Sequence, residues 1–568
     1  MRGGGIMFRE DQLEAIAKAR REWELTVLNP VMERWPERKE EFRTQSGHPV
    51  KRVYTPEDIA DKDYLRDISF PGYYPFTRGV FPTGYRGRLW TRRLITGLAT
   101  PEETNKRLKY LIRQGQTGLN IIFDNPTTNL FDSDNPICEG EVGRDGVPCC
   151  TLRDMEVIME GIDMSEVSTS IIHSGPFVLS MYLALAEKRG VPFERLRGTL
   201  QNDVLSQYYT VNMSVVSLRD GFRLSADVVE YCRKHVPRWN PISFVGYQIR
   251  EAGSTAAQEV AFALGSAIGY TEELMSRGMD VDDFAPRLSF MFNCHNDFFE
   301  EICKLRAARR LWARIMKERF GARNPLSWLL RFHVQTAGSS LTAQQPINNV
   351  IRTTIQALAA VLGGANSLHT NSMDECYALP SEYAARTALR TQQIIAYESG
   401  VANTVDPLAG SYFVEKLTDE IEEEAHEIIR KIDDLGGMVA ALEAGWVQRE
   451  IVRASNEYHR KMKTGEITVV GVNAFAEEGD EEVPIEILRI DPAHEAHQVE
   501  MVRRVKAGRD EKKLRQALER MKEDAAAHRN IVPSCMEAVK AYASLEDMRN
   551  ALQEALGAGK ESKDAFIC

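Results

Sequence analysis

The chain has 568 residues, of which 43% are hydrophobic and 27% are charged, so it can bury several domain cores and is not a disordered protein. Its net charge of −11 argues against a general electrostatic grip on nucleic acid or on an anionic membrane. We therefore expect a phosphate group in any ligand to be met by a local cluster of cations. No apolar run approaches the roughly 20 residues that cross a bilayer, and the first residues show no secretory signal.

Nine cysteines are scattered along the chain without a C-x-x-C pair. This pattern is typical of reduced thiols in the cytoplasm, where we place the protein. The missing pair spacing also argues against structural zinc, so no metal ligands are predicted in this chain.

Residues 1–110 are predicted to form an N-terminal helical arm followed by a loop rich in glycine, proline, tyrosine and arginine. Guanidinium groups have a fork geometry that suits phosphate. The arginines of this loop are Arg78, Arg86, Arg88, Arg92 and Arg93. Pairing of these side chains with surface carboxylates is the open alternative.

Residues 111–415 alternate short β-rich runs with longer helical runs, which is the pattern of parallel β/α units. Strands are predicted at residues 118–124, 166–173, 195–203, 240–249, 287–293, 327–336, 365–372 and 404–410. Eight such units indicate an α/β fold, a (β/α)8 TIM barrel. Residues 416–475 are predicted to be helical, and residues 476–568 to form an acidic linker and a charged helical extension that resembles an interaction arm.

Polar residues fall at the carboxyl ends of the predicted strands, where barrel enzymes place their sites. They are Asp124, His173, Gln201, Asp203, Gln248, Glu251, His333, Gln335, His369, Asn371 and Asp406. Small polar residues also lie within the strands, and if they face inward they line an axial channel for a polar ligand. They are Ser168, Ser170, Thr199, Ser243 and Ser289. Orientation of these side chains toward the helices is the alternative.

The common catalytic motifs are absent from the sequence: there is no phosphate-binding loop, no nucleophile elbow and no H-E-x-x-H. The residues alone therefore indicate a barrel that binds a bulky phosphorylated ligand. Its chemistry is expected to come from a cofactor, with the protein supplying orientation and exclusion of water.

Several long motifs resemble those of one enzyme family. The runs are YPFTRGVFPTGYRGRLWTRR, GQTGLNIIFDNPT, GTLQNDVL, VGYQIREAGS, RFHVQTAGSSLTAQ and NSLHTNSMDE. They are similar to the large, substrate-binding subunits of the adenosylcobalamin-dependent acyl-CoA mutases, in the methylmalonyl-CoA mutase family, across residues 10–560. Within that family the sequence is most similar to the large subunits of the 2-hydroxyisobutyryl-CoA and isobutyryl-CoA mutases. The resemblance implies an isomerase that rearranges an acyl-CoA carbon skeleton by radical chemistry, with coenzyme A threaded along the barrel axis.

The resemblance also implies roles for individual residues. Substrate and coenzyme A are expected at Phe81, Thr83, Arg88, Thr91, Arg93, Thr199, Gln201, Arg238, Arg287, Ser289 and His333. Adenosylcobalamin is expected at Gly97, Gln201, Tyr247, Glu251, Gln335, Asn371 and Glu375. The reacting acyl group is expected beside Ile95, Ile122, Val211, Tyr247, Gln248 and His333.

A partner is expected as well, because family members that bind cobalamin unaided carry a D-x-H-x-x-G motif in a flavodoxin-like domain, and this sequence has neither. The resemblance implies a cobalamin-binding small subunit that supplies the cobalt-ligating histidine, in an α2β2 assembly, with a G-protein chaperone as a further partner. No nucleic acid or membrane partner is predicted. This chain alone is expected not to turn over.

The residues expected beside the acyl group differ from those of the family. Ile95, Val211 and Gln248 match a tyrosine, an arginine and a histidine of methylmalonyl-CoA mutase, and Ile122 matches the hydroxyl-binding aspartate of 2-hydroxyisobutyryl-CoA mutase. Because a carboxylate would be buried against apolar groups, methylmalonyl-CoA is disfavoured. We predict a branched, uncharged acyl-CoA of the isobutyryl or pivalyl kind, converted to a linear or less branched isomer. The alternatives are a 2-hydroxyisobutyryl-CoA mutase, which forms 3-hydroxybutyryl-CoA, and a non-enzymatic CoA-binding assembly component.

Overall fold

Parallel β-strands form the centre of the protein. The computed structural model describes residues 7–172, 175–210, 215–477 and 485–559. The strands are β1 (Thr91–Arg92), β2 (Ile95–Thr96), β3 (Leu119–Ile122), β4 (Ser168–Ile172), β5 (Arg197–Gln201), β6 (Trp239–Asn240), β7 (Ile242–Val245), β8 (Leu288–Cys294), β9 (Phe332–Thr336) and β10 (Ser367–His369).

The strands form two five-stranded sheets, in the orders β1-β10-β9-β8-β7 and β2-β3-β4-β5-β6. Since β1 runs into β2 and β6 runs into β7 within a few residues, each of these pairs is one barrel strand shared by both sheets. The two sheets are therefore joined at both edges, and eight segments follow one another in a ring. This order confirms the predicted (β/α)8 architecture.

Helices surround the ring and extend it at both ends of the chain. They are α1 (Glu10–Trp23), α2 (Asn29–Arg34), α3 (Pro101–Arg113), α4 (Asn125–Thr128), α5 (Leu152–Ile158), α6 (Gly175–Lys188), α7 (Val204–Thr210), α8 (Leu218–His235), α9 (Tyr247–Glu251), α10 (Ala256–Ser276), α11 (Val281–Phe284), α12 (Phe298–Arg314), α13 (Asn348–Leu362), α14 (Glu382–Tyr397), α15 (Tyr412–Asp434), α16 (Met438–Glu443), α17 (Trp446–Lys463), α18 (Pro492–Gly508), α19 (Glu511–Ala526), α20 (Val532–Lys540) and α21 (Leu545–Leu556). None of the described helices has the length and apolarity needed to span a bilayer.

One predicted strand is wrong and one was missed. Residues 404–410 form turns, and Asp406 has a φ of 48° and pairs its carboxylate with Arg306 on α12. The first barrel strand is instead β1 with β2, inside the stretch predicted as an arginine-rich loop. Arg93 and Leu94 interrupt it, so neither half is long enough to show the alternation of a strand. The division of the chain at residues 110, 415 and 475 stays a prediction.

The strand register decides which side chains face the axis. Ile95, Asn120, Ser170 and Thr199 share one level across β2 to β5. The neighbouring Leu119, Ile121, Ile171 and Leu200 face outward into the core, so the polar side chains beside them point inward. Ser243 and Ser289 are paired in the same way between outward-facing apolar residues. The predicted inward orientation of the serine and threonine side chains is thus confirmed, and the ring encloses a polar interior.

Most of the apolar core lies outside the strands, in two large clusters. One packs β7 to β10 against helices that include α10, α12 and α15. The other packs β3 to β5 against α6 and also contains buried residues of α19, α20 and α21. The C-terminal helices are therefore part of the barrel's outer layer, although their charged sequence predicts a separate arm.

Candidate functional site

A cavity of about 660 Å³ opens at the amino ends of the strands. Phe81, Thr83, Arg88 and Thr91 line it, all of them residues predicted to bind coenzyme A. The loop that carries them follows the N-terminal arm and folds under the barrel before β1 begins. The structure therefore brings this predicted group together at one end of the channel.

Three arginines precede strands at the same end of the barrel. Arg238 comes before β6, Arg287 before β8 and Arg331 before β9, and Arg331 lines the cavity. Burial and the neighbouring Arg238 lower the pKa of Arg287. Among the described residues none of the three forms a salt bridge, so they are available to an anionic ligand. Arg331 opens the motif RFHVQTAGSSLTAQ and falls within the predicted strand 327–336, but no role was predicted for it.

Inside the channel, charged and polar side chains form hydrogen bonds with one another. Arg93 donates from Nη2 to Ser168 Oγ at 2.6 Å, and His333 Nδ1 lies 2.8 Å from Ser367 Oγ. His333 Nε2 is buried and has no partner among the described residues. Burial, Arg93 and His369 lower the pKa of His333 well below its usual range, so the imidazole is neutral. With the Ser367 hydroxyl donating to Nδ1, Nε2–H can donate to a ligand on the axis.

The other predicted channel residues are also on inward faces. Asn240 donates to Thr199 Oγ1 at 3.2 Å, and Ser289 Oγ donates to the Ile242 carbonyl at 2.8 Å. Gln201 Nε2 lies 3.0 Å from Met291 Sδ at the carboxyl end of β5. These residues join the two ends of the channel.

At the carboxyl ends, α9 begins directly after β7 and carries Tyr247, Gln248 and Glu251. Glu251 accepts hydrogen bonds from Ser339 N at 2.8 Å, from Ser339 Oγ at 3.2 Å and from Asn293 Nδ2. Burial raises the pKa of Glu251, and burial with the nearby Glu251 and Glu375 raises that of Tyr247 well above its usual range. The phenol is therefore neutral at physiological pH.

Gly338 forms the floor between these side chains. A Cβ at this position would lie 3.1 Å from both Asn371 Nδ2 and Glu251 Oε2 and 3.5 Å from Tyr247 Oη. Gln335 Nε2 in turn donates to Asn371 Oδ1 at 3.1 Å. The absence of a side chain at Gly338 leaves a shallow polar cradle, which we call the Gly338 face.

A second cavity, of about 230 Å³, adjoins this face. Ile95, Gly97 and Ile122 line it together with Gln335, His369, Glu375 and Leu488, among others. A Cβ at Gly97 would lie 2.0 Å from the Ile122 carbonyl oxygen, so only glycine fits there. The two isoleucines form an apolar wall beside the polar Gln335 and His369, and contact of this wall with an acyl group stays a prediction. Leu488 comes from beyond the predicted linker, and no pattern indicated it.

Glu375 gives the cavity a titratable wall. Burial, Glu251 and Asp374 raise its pKa to about 7 from the ordinary 4.5. Between these two values the folded chain keeps a proton that the unfolded chain has lost, so stability falls as the pH rises through that window. Glu375→Gln should remove about 1–2 kcal/mol of this decline. Urea unfolding of both proteins at about pH 5 and about pH 8 measures it.

The surface variant Glu139→Gln is the control for the pH experiment, because Glu139 is exposed. Since other buried carboxyls also titrate, the quantity that counts is the difference between each variant and the parent. An unchanged pH dependence in Glu375→Gln would contradict the raised pKa.

Val211, one of the predicted acyl contacts, lies outside the described residues. The functional residues that sequence reasoning missed are Arg331, Gly338, Ser339, Ser367, Asn293 and Leu488. Gly338 and Ser339 follow the predicted Gln335 within the motif TAGSS, so that motif was the available signal.

Comparison with known proteins gives concordant matches. The sequence profile described as methylmalonyl-CoA mutase matches residues 43–558. The chain is 47% identical over 557 residues to the 2-hydroxyisobutanoyl-CoA mutase large subunit of Aquincola tertiaricarbonis, which covers 97% of this chain and 99% of that protein. It is 40% identical over 516 residues to methylmalonyl-CoA mutase of Escherichia coli, covering 90% of this chain and 72% of that one. Human mitochondrial methylmalonyl-CoA mutase is 38% identical over 523 residues, with 91% and 69% covered.

Proposed function

The chain belongs to the methylmalonyl-CoA mutase family of acyl-CoA isomerases, and we propose that it rearranges a branched, uncharged acyl group such as isobutyryl or pivalyl to a linear or less branched isomer. The observation that carries this proposal is the apolar wall of Ile95 and Ile122 at the inner end of the channel. Neither side chain offers a partner to a carboxylate or a hydroxyl of the substrate.

The opening at the amino ends supports binding of the coenzyme A handle. Arg88 and Arg331 line it without a salt bridge among the described residues and suit phosphate groups, and its loop residues Phe81 and Thr83 suit the remainder of the nucleotide. A pantetheine arm along the axis would pass Thr199, Ser168 and His333. The polar groups of these side chains suit its amides.

Adenosylcobalamin fits the Gly338 face, because the cradle left by the missing Cβ is bordered by carboxylate and amide groups that suit sugar hydroxyls. Glu251, Asn371 and Glu375 would hold it, beside Gly97, Gln201 and Gln335. When bound, it would supply the radical chemistry of the rearrangement.

The chain's own residues orient and protect the reacting acyl group. Neutral His333 can donate one hydrogen bond to the acyl-CoA from Nε2 without bringing a charge into the channel. Gln248, beside Tyr247 on α9, can donate to a thioester oxygen but cannot become a cation, so its assistance to migration is through a neutral hydrogen bond. The neutral phenol of Tyr247 shields the space between the acyl group and the Gly338 face from water.

A second candidate is 2-hydroxyisobutanoyl-CoA mutase, favoured by the 47% identity to that large subunit over nearly the whole of both chains. Ile122 stands where that mutase has the aspartate that binds the substrate hydroxyl. For this activity, a residue of a partner subunit would have to bind the hydroxyl instead. The two candidates differ only in the polarity of the acyl end.

A cobalamin-binding small subunit is proposed as the partner, in an α2β2 assembly. The proposal is supported by the name of the relative from Aquincola tertiaricarbonis, which is a large subunit and is matched over 99% of its length. The cobalt-ligating histidine is proposed to come from this partner.

The experiment that tests the function is reconstitution of the chain with its small subunit and adenosylcobalamin, with isobutyryl-, pivalyl-, 2-hydroxyisobutyryl- and methylmalonyl-CoA as substrates. We expect turnover of an uncharged branched acyl-CoA to be fastest and the chain alone to be inactive. Fastest turnover of methylmalonyl-CoA would overturn the apolar acyl site. Full activity of the isolated chain would overturn the two-subunit proposal.

A further inference from the structure

Helix α9 is anchored by a buried network of charges. Arg250 of α9 lies 3.4 Å from both Glu300 and Glu301 on α12, and its Nη1 donates to the Ser254 carbonyl. Both glutamates have no exposed side-chain surface. Removing one partner from such a network leaves a buried charge uncompensated, which is costly.

A turn near the N-terminus completes this network from the opposite side. Ser46 Oγ donates to Glu300 Oε2 at 2.9 Å and accepts from Ala256 N, the first residue of α10, at 2.9 Å. Ser46 N donates to Glu300 Oε1 at 3.0 Å. One serine therefore links the carboxylate that faces Arg250 to the helix that follows α9.

His48 adds a charge to the same turn. Burial opposes its protonation, but the neighbouring carboxylates of Glu300 and Glu424 outweigh burial and raise the pKa of His48 to about 10. Its Nε2 lies 2.9 Å from Glu424 of α15. The turn is thus held by α12 and α15, more than 200 residues away in sequence.

We infer that Ser46 and Arg250 are positioning residues for the proposed mutase reaction: together they hold α9 so that Tyr247 and Glu251 stay in place at the Gly338 face. The inference rests on the proposed function for its effect on turnover. The geometric consequence, a fixed α9, does not depend on it. Loss of the clamp allows α9 to move while the coenzyme A opening at the far end of the barrel stays intact.

The test uses the full chain with Ser46→Ala, Ser46→Thr and Arg250→Lys, the last of which keeps a charge but loses the fork. In Ser46→Ala and Arg250→Lys, amide hydrogen exchange of residues 246–254 should be at least about threefold faster than in the parent. In the reconstituted enzyme both changes should lower kcat by about ten- to a hundredfold and leave KM for acyl-CoA within about twofold. Ser46→Thr keeps the hydroxyl and should restore both readouts.

Ser327→Ala is the matched control, because buried Ser327 donates to Asp282 Oδ1 at 2.8 Å, before β9 and far from α9. It should leave the exchange of residues 246–254 and kcat unchanged. The inference is overturned if Ser46→Ala and Arg250→Lys exchange like the parent, or if Ser327→Ala causes the same loss. Hydrogen exchange needs no substrate, so it tests the clamp even if the proposed function fails.

Discussion

Replacing Ile122 by aspartate is expected to reverse the acyl preference of the reconstituted enzyme. The new carboxylate would lie in the cavity beside Ile95 and near Glu375, where an uncompensated charge costs several kcal/mol against an apolar acyl group. We expect kcat/KM for the preferred uncharged substrate to fall by roughly a hundredfold or more. Turnover of 2-hydroxyisobutyryl-CoA should rise, because a carboxylate accepts the substrate hydroxyl.

Two substitutions at the same position serve as controls for this exchange. Ile122→Val keeps the wall apolar and should preserve the original preference, with at most a severalfold change from the lost methylene. Ile122→Asn adds polarity without charge and should lie between the two. Steady-state kinetics on the same four acyl-CoA substrates provides the measurement. If Ile122→Asp keeps its turnover of the uncharged substrate within about twofold, Ile122 does not face the acyl group.

Glu251→Ala is expected to abolish most turnover without weakening the binding of acyl-CoA. Its carboxylate accepts hydrogen bonds from Asn293 and from both the backbone and the hydroxyl of Ser339. Truncation removes the charge from the Gly338 face and leaves these donors unpaired. We expect kcat to fall by about a hundred- to a thousandfold. KM for acyl-CoA should stay within about twofold, because the coenzyme A opening lies at the other end of the barrel.

Ser339→Ala provides a graded comparison with Glu251→Ala. It removes one donor to the carboxylate and keeps the backbone donor, so the loss in kcat should stay below about tenfold. Thermal unfolding of both variants distinguishes a fold defect from a local one. A Glu251→Ala enzyme whose KM rises as much as its kcat falls would indicate that this residue belongs to the substrate end.

Much of the barrel could be predicted from its hydrophobic runs. Strands such as β8, with the sequence LSFMFNC, can be recognised in the sequence because every outward residue is apolar. The first strand could not be found in this way, because Arg92 and Arg93 stand in its middle and break the pattern. Residues 404–410 have the pattern of a short strand but form turns. Val405 lines the cavity at the amino ends of the strands, and Leu408 packs against the outer core.

In the candidate site, residues at strand ends could be predicted, but residues contributed by distant segments could not. Tyr247, Glu251, Gln335 and Asn371 stand at strand ends and could be assigned from strand order and from family motifs. Leu488 could not, because it reaches the cavity only through the docking of α18, whose Gln498 binds Asp154 at 3.0 Å. The partners of Arg250 were also invisible, since charged residues in a helix such as α12 ordinarily indicate a solvated face.

The arrangement of the apolar core outside a polar interior bears on how this protein can evolve. In most barrels the inward residues are part of the packed core, so changing them costs folding free energy. Here the outer clusters, with residues such as Phe244 and Trp239, supply most of the apolar packing that stabilises the fold. Ile95, Ile122 and Thr199 remain partly exposed. Exchanges of similar size among the inward residues therefore leave the scaffold largely unaffected. We therefore expect that a single substitution among these inward residues can change the acyl group that the channel accepts without a compensating mutation for stability.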